Sequence, residues 1–442
     1  MYWIARLHEQ YGTVVRTAPD HLAYIEPEAW KDIYAHKSSS GRGNLPKDLR
    51  YYGPAPVGGA SILNADDETH ARLRRSISHA FSEKALIAQE PLLRQYVNLL
   101  VSRLRDTANS ADKSVDIVRM YNFVTFDFMA DLTFGEPLGL LEQGEYIPWV
   151  ASIITSFKLI GIMWSIQSAF SFLMPLVTKT VLRGMLAKRK QHGAFAVERV
   201  DRRLARQTDR PDIWTFVLRN AESGKGLSRG EMHSNGSSIM AAGTETTASV
   251  LSGITWLLCN HHDVLDRLSR EVREAFDGVG DDGPSMQALA RLPYLNACLQ
   301  EALRIYPPGP LGMPRVAPAG GAIICGRPTT VYVTSYAVSH SERNFYDPEG
   351  FHPERWLPDP DPCFANDKLN SAEPFSLGPR NCVGKNLAWH EMRSILTAIL
   401  LNFDIELAEQ MKTNWLDQKA YFVWEKPPLY IKLNPRQPKA SA

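Results

Sequence analysis

Cysteine is scarce in this chain. Five residues of 442, at positions 259, 298, 325, 363 and 382, form no C-x-x-C pair and no paired framework. That argues against zinc-knuckle and disulfide-stapled folds and predicts a reducing, intracellular setting. An excess of either charge is missing too: 49 basic against 48 acidic residues leave a net charge of +1, so nucleic acid is not an expected partner. Internal repeats and low-complexity linkers are absent, and a single large domain over residues 1–442 is expected. The start lacks an apolar leader, because Arg6 already brings a charge. Neither a secretory signal nor an N-terminal anchor is therefore expected in this chain.

What remains is a globular composition, 44% hydrophobic and 22% charged, patterned mainly as helix. Residues 1–62 mix short apolar runs with turn clusters and predict a few strands and short helices. Asp66 to Phe81 opens with acids and continues with bases, as a helix dipole favours. Apolar spacing from Glu90 to Leu132 is helical throughout. Between Glu145 and Lys179 the only charge is Lys158. The uncharged run 159–178 is long enough to cross a bilayer, but scattered serines and Pro175 favour a hydrophobic helix pair that covers a pocket or touches a membrane surface. The basic stretch Leu186 to Gln191 reads as a solvated helix face. Gly230 to Cys259 predicts a long apolar helix, and Leu295 to Ile305 a shorter one stopped by Pro307-Pro308. Val331 to Thr334 is the clearest strand, while Tyr421 to Trp424 and Leu429 to Leu433 predict a small terminal sheet. The sequon at Asn235 falls in the long helix, where glycosylation is not expected.

One cysteine stands out. Cys382 sits in Phe375-Ser-Leu-Gly378-Pro-Arg380-Asn-Cys382-Val-Gly384, directly before a helical pattern. The glycines let backbone amides approach a sulfur closely, a helix start favours an anion, and Arg380 offers a cation suited to a carboxylate. These residues alone leave two readings open: a thiolate that holds a metal, or a structural thiol. Gly243-Thr-Glu245-Thr246-Thr247 is a polar island inside the long helix. Such residues are costly there unless something uses them, and an adjacent carboxylate and hydroxyl can deliver protons; threonines packed in a core helix are the other reading. Glu301 and Arg304, three apart, would ordinarily be a surface ion pair. His70 and Arg74 share a helix face, and His70 could equally cap or lie at the surface. His261-His262 has no metal-ligand spacing and reads as a helix-end pair.

The loop around Cys382 resembles the haem-binding signature of the cytochrome P-450 family, F-x-x-G-x-R-x-C-x-G. Ala242 to Thr247 is similar to that family's oxygen-activation motif. Glu301-x-x-Arg304 with Pro353-Glu354-Arg355-Trp356 resembles its E-x-x-R and P-E-R-W elements, and the motifs fall in the family's order from about residue 8 to 434. The likeness is to fungal microsomal members of secondary metabolism, of the trichothecene C-15 hydroxylase type. It implies a mainly α fold with small β-sheets around haem b, with Cys382 as the axial thiolate. It further implies propionate contacts from His70, Arg74, Arg315 and Arg380, and proton delivery by Glu245 and Thr246. A structural ion-pair network of Glu301, Arg304 and Arg355 would lock the cysteine loop.

The activity so implied is monooxygenation, the insertion of one atom of O2 into a lipophilic terpenoid or polyketide. Electrons would come from a separate NADPH-dependent flavoprotein reductase. Apolar pocket walls are expected from Ala241, Ala242, Leu311 to Met313, Tyr421 to Val423 and residues 147–177, the last also a membrane-surface contact. The endoplasmic reticulum, at its cytosolic face, is the family's location. Two departures go with the resemblance: the membrane helix and Pro-rich hinge usual at the family's N-terminus are not expected in this chain, and the hairpin at 323–331 is several residues short. They keep open two alternatives, a haem-binding isomerase or dehydratase and an inactive remnant; the intact Glu245-Thr246 pair argues against the first.

Overall fold

The computed structural model describes residues 1–36, 44–52, 57–109, 113–219, 226–276, 283–317 and 330–436. Helices carry most of them. Among the described residues seven strands form two small sheets: β1 (Val14–Ala18), β2 (His21–Tyr24), β3 (Ser114–Asp116), β4 (Arg315–Val316), β5 (Thr330–Val333), β6 (Phe403–Leu407) and β7 (Tyr430–Pro435). The first sheet has the order β1-β2-β5-β4. β2 and β5 run parallel with His21 opposite Thr330, and β4 returns antiparallel with Arg315 opposite Val331. The second sheet, β3-β7-β6, is antiparallel. Residues 323–329 of the short hairpin lie outside the described residues.

One helix of 32 residues, Arg229–Asn260, runs through the middle of the molecule. It starts on a capping box in which Ser228 and Glu231 satisfy each other's backbone amides, a strong N-terminal stop signal. Around it pack helices Ile117–Phe134, Arg183–Leu204, Pro293–Ile305 and Lys385–Asn402. Ile117–Phe134 is buried on almost every face, which is why its sequence is apolar all round rather than striped. Gly243 lies at the crossing of these two helices. A Cβ there would stand 2.6 Å from Cε of Met129, so a side chain would require that methionine end to move aside.

Two expectations need correction. The helical stretch from Glu90 to Leu132 is two helices, Glu83–Ala108 and Ile117–Phe134, separated by β3. β3 pairs with β7 more than three hundred residues away, a tertiary contact that overrides local periodicity. Asp116 then caps the second helix by accepting from the Arg119 amide. Tyr421 to Trp424 forms no strand beside β7; Ala420 and Trp424 share only an isolated bridge. The apolar run does break near Pro175: helix Pro148–Phe170 gives way to a 3-10 turn at Ser171–Leu173, and Pro175 sits in the first turn of a new short helix, Met174–Lys179, where a missing N–H costs little.

The helix before it, Pro148–Phe170, contains the one described stretch long and apolar enough to cross a membrane, with 39% of that window buried. It packs against Arg183–Leu204 and the short helix Leu49–Tyr52, and so lies over the body of the protein as a cover.

Candidate active site

The Cys382 loop is a tight reversal ahead of helix Lys385–Asn402, whose N-cap is Gly384. The Cys382 amide donates to the Phe375 carbonyl at 2.9 Å and the Asn381 amide to Gly378 at 3.1 Å. Gly378 has φ +72°, and a Cβ on it would stand 2.0 Å from the Tyr34 carbonyl oxygen; only glycine fits. The Phe375 ring lies 6.2 Å from that of Trp389 and seats the loop on the following helix. Cys382 itself is accessible, yet burial pushes its thiol pKa up, against the opposing pull of the Gly384 amide, Arg74 and Lys385. Accessibility with desolvation means that the sulfur opens onto a recess, not onto bulk solvent. A metal ion there would displace the thiol proton.

Basic side chains crowd beside this loop. Arg74 donates through Nη2 to Asn381 Oδ1 at 2.7 Å. Arg380 reaches Asp67 Oδ1 at 2.7 Å and the Ala65 carbonyl at 2.8 Å. Arg315, on β4, is bridged through its backbone to Lys47. Burial, then Arg380 and Arg315, push Lys47 down to about 6. Burial, then Arg380, Lys47 and Arg74, push His70 down to about 3. One Nη1 on Arg315 and one on Arg380 are buried with no partner among the described residues. Partly desolvated guanidinium groups that hold Lys47 and His70 towards their neutral forms, with Asp67 the carboxylate opposing this at both, are unfavourable unless an anion completes the set. A ligand with two carboxylates supplies that anion. The donor chemistry therefore fits the haem suggested by the sequence: a sulfur for its iron and unsatisfied guanidinium protons for its propionates.

The central helix contributes the third part. From Thr247 to Cys259 every residue is buried, whereas Ala242 is exposed and Ala241, Gly243 and Thr246 are half-buried. Thr246 donates to the Ala242 carbonyl at 2.7 Å, which leaves its oxygen free to accept. Glu245, next in sequence, points elsewhere. It is buried in an ion pair with Lys426, whose Nζ also donates to Ser249 Oγ at 3.0 Å; the Glu245 Oε2 atom is buried without a partner among the described residues. One turn on the other side, Thr247 hydrogen-bonds Glu391 of helix Lys385–Asn402, and burial holds that carboxyl well above its ordinary pKa.

Glu301, Arg304 and Arg355 come together as a separate, fully buried centre. Arg304 donates to Glu301 from Nε at 2.9 Å and Nη2 at 2.8 Å, and Arg355 Nε adds a third bond at 3.0 Å. Trp356 Nε1 at 2.8 Å and the His352 amide at 3.1 Å complete the carboxylate. The remaining protons of Arg304 go to the carbonyls of Ser339, Pro348 and Gly350, and Arg355 pairs with Asp367. Asp367, Lys47, Asn381, Glu391 and Lys426 were not singled out from the sequence. Lys47 and Lys426 stand far in the chain from the motifs they serve, and the other three occupy places that no local pattern marks; only the tryptophan of P-E-R-W offered a signal. His261 caps the central helix through the Leu257 carbonyl.

A separate cavity of about 700 Å³ lies between the N-terminal helix, β1 and the cover helix, lined by Trp3, Ile4, Trp164, Tyr332 and Tyr421 among others. Neither Cys382 nor Thr246 lines it.

The sequence model of the family described as Cytochrome P450 matches residues 3–433. Cytochrome P450 monooxygenase efuB of Hormonema carpetanum is 45% identical over 440 residues, covering 97% of this chain and 85% of that one. Cytochrome P450 monooxygenase FUM2 of Gibberella moniliformis is 44% identical over 438 residues, 97% of this chain and 91% of that one. Averantin hydroxylase of Dothistroma septosporum is 42% identical over 439 residues, 98% and 81% respectively.

Proposed function

Because this chain belongs to the cytochrome P450 family and is a haem-thiolate monooxygenase, we propose that Cys382 ligates the haem iron and that Glu245 and Thr246 supply its protons. The observation that carries the site assignment is the unbalanced cation cluster beside Cys382, the one cysteine among the described residues that opens onto a recess. When bound, the haem activates O2 and supplies the oxidant that hydroxylates or epoxidises the substrate while the second oxygen leaves as water. The chain's own residues do the rest. The Gly384 amide stabilises negative charge on sulfur. His70, Arg74, Arg315 and Arg380, with Lys47, bind the carboxylates. Thr246 accepts and relays a hydrogen bond at the accessible strip of the central helix, and Glu245 is the proton source behind it. Glu301, Arg304 and Arg355 hold the backbone that leads into the cysteine loop, and residues 1–442 form one haem domain.

The pocket selects a bulky lipophilic molecule, a terpenoid or polyketide of fungal secondary metabolism. The apolar surfaces of Ala241, Ala242, Leu311 and Phe422 support this, as does similarity to a hydroxylase of averantin. A separate NADPH-dependent flavoprotein reductase delivers the electrons. The protein works at the cytosolic face of the endoplasmic reticulum and touches the membrane through residues 147–177, where Phe170, Phe172 and Leu176 are exposed.

The reduced, carbon-monoxide-bound absorption spectrum tests the assignment. A strongly red-shifted Soret band in the wild type, abolished in Cys382→Ala together with oxygenation, is the expected result. A wild-type band typical of a neutral proximal ligand, or turnover that survives in Cys382→Ala, would overturn it.

A further inference from the structure

The mechanism above uses Glu245 but leaves its partner unexplained. Lys426 and Glu245 are both buried, with side-chain exposures of 2% and 5%. Lys426 is preceded by Glu425, and Glu425 pairs with Lys158. Lys158 is the only charged residue in the cover helix Pro148–Phe170. Two neighbours in sequence thus hold two different elements: one the cover helix, the other the acid of the central helix.

This dipeptide is stiff. Pro427 and Pro428 follow it, and a residue before proline is restricted to extended conformations. The Glu425 amide donates to the Lys419 carbonyl at 2.9 Å, and Trp424 Nε1 is anchored on the Pro307 carbonyl at 2.8 Å. The same segment lies flat against the cover helix: Phe422 stacks on Phe157 with rings 5.9 Å apart and 3° from parallel. Gly161 is so close to Tyr421 that a Cβ would stand 2.8 Å from it. Residues 421–426 thus touch the cover helix through Tyr421, Phe422 and Glu425 and the central helix through Lys426.

We propose that Lys426 is a positioning residue that holds Glu245 turned away, and that Lys158 and Glu425 couple this hold to the position of the cover helix. With the cover seated as here, the Glu245 carboxylate is held by Lys426, whose Nζ is itself steadied by Ser249 Oγ. Displacement of the cover, as when a substrate fills the space beneath it, draws Glu425 and its neighbour along and releases Glu245, whose free Oε2 is already unpartnered. The proton source is thereby made available in step with occupancy. The inference rests on the assignment of Glu245 as that source, but the coupling itself is testable without oxygen chemistry.

The test is infrared spectroscopy of the ligand-free holoenzyme at neutral pH. A buried carboxylate deprived of its cation takes up a proton, and the protonated carboxyl has a carbonyl stretch of its own. Lys426→Met should show a new protonated-carboxyl band that is absent from the wild type and from the Glu245→Gln, Lys426→Met double variant. Lys158→Ala and Glu425→Gln, which leave Lys426 in place, should show the same band at reduced intensity, and Lys426→Arg should remove it. Wild-type spectra in both Lys158→Ala and Glu425→Gln would overturn the coupling. No band in Lys426→Met, with its carbon-monoxide spectrum showing a folded thiolate site, would overturn the hold on Glu245. Failure of the monooxygenase assignment would show separately, in the wild-type carbon-monoxide spectrum.

Discussion

Arg304 grips both oxygens of Glu301, through Nε at 2.9 Å and Nη2 at 2.8 Å, with neither side chain exposed to solvent. The two are three residues apart on one helix, a spacing that on a surface is worth little. Buried, the pair depends on completeness, since every remaining proton and lone pair must find a partner. Removing one member strands the rest, which costs about 3–5 kcal/mol. Glu301→Gln and Arg355→Ala should each lower the unfolding midpoint sharply and reduce haem retention. A midpoint unchanged from wild type would show that the centre contributes no stability.

Thr246→Ala removes a hydroxyl from the accessible strip and leaves the Lys426–Glu245 pair untouched. Haem binding and the thiolate spectrum should persist, while more of the NADPH consumed ends as hydrogen peroxide and less as product. An unchanged product yield per NADPH would exclude the hydroxyl from the proton path.

Gly378 sits at positive φ with the Tyr34 carbonyl where a Cβ would go. Gly378→Ala adds backbone strain of about 1–3 kcal/mol as well as that overlap, and both fall on the loop that carries Cys382. The variant should lose haem faster than wild type in a transfer assay to an apo-globin. An equal transfer rate would mean that the loop relaxes without consequence.

His192 gives a pH signature. Its Nε2 is 2.9 Å from Ser237 Oγ, its ring stacks on Trp149, and burial pushes its pKa down to about 4. The unfolded chain takes up this proton near pH 6.5 and the folded one only near 4. The stability it confers is complete above pH 6.5 and is lost as pH falls towards 4, by about 3 kcal/mol in all. Urea unfolding across that range should show the slope, and His192→Gln should flatten it. Glu301, held below its ordinary pKa chiefly by Arg304 against the opposing effect of burial, acts lower still: its share is present above pH about 4.5 and lost on further acidification. A slope identical in His192→Gln would assign the loss to other groups.

The sequence disclosed the parts of the site whose chemistry is written in short spacings. Cys382 with its glycines, the Glu245-Thr246 island and the Glu301/Arg304 pair each stand in a few consecutive residues. Helices with long uniform patterns, Arg229–Asn260 above all, were legible for the same reason. The partners were not. Lys426, Asp367 and Lys47 reach their places through tertiary folding, and a lone lysine or aspartate in a loop has no periodicity to mark it. β3 was lost inside a helical pattern because its pairing with β7 is decided across most of the chain. Tyr421 to Trp424 looked like a strand because aromatic residues favour strands; here they serve to pack against the cover helix and the N-terminal region instead.

The two buried polar centres draw on the chain in opposite ways. Every partner of Glu301, Arg304 and Arg355 lies between residues 301 and 367, so that centre can close within one short segment while the rest of the chain is still open. The cation cluster gathers Lys47, His70 and Arg74 from one end and Arg315 and Arg380 from the other, with 313 residues between Asp67 and Arg380. Closing such a loop is slow and entropically costly. The expected order of assembly is therefore frame before cradle: in pulse-labelling hydrogen exchange the amides of residues 301–367 should be protected before those around Lys47, His70 and Arg380. Haem capture would then report on that last long-range closure, and nascent chains stalled before residue 380 should have no cradle.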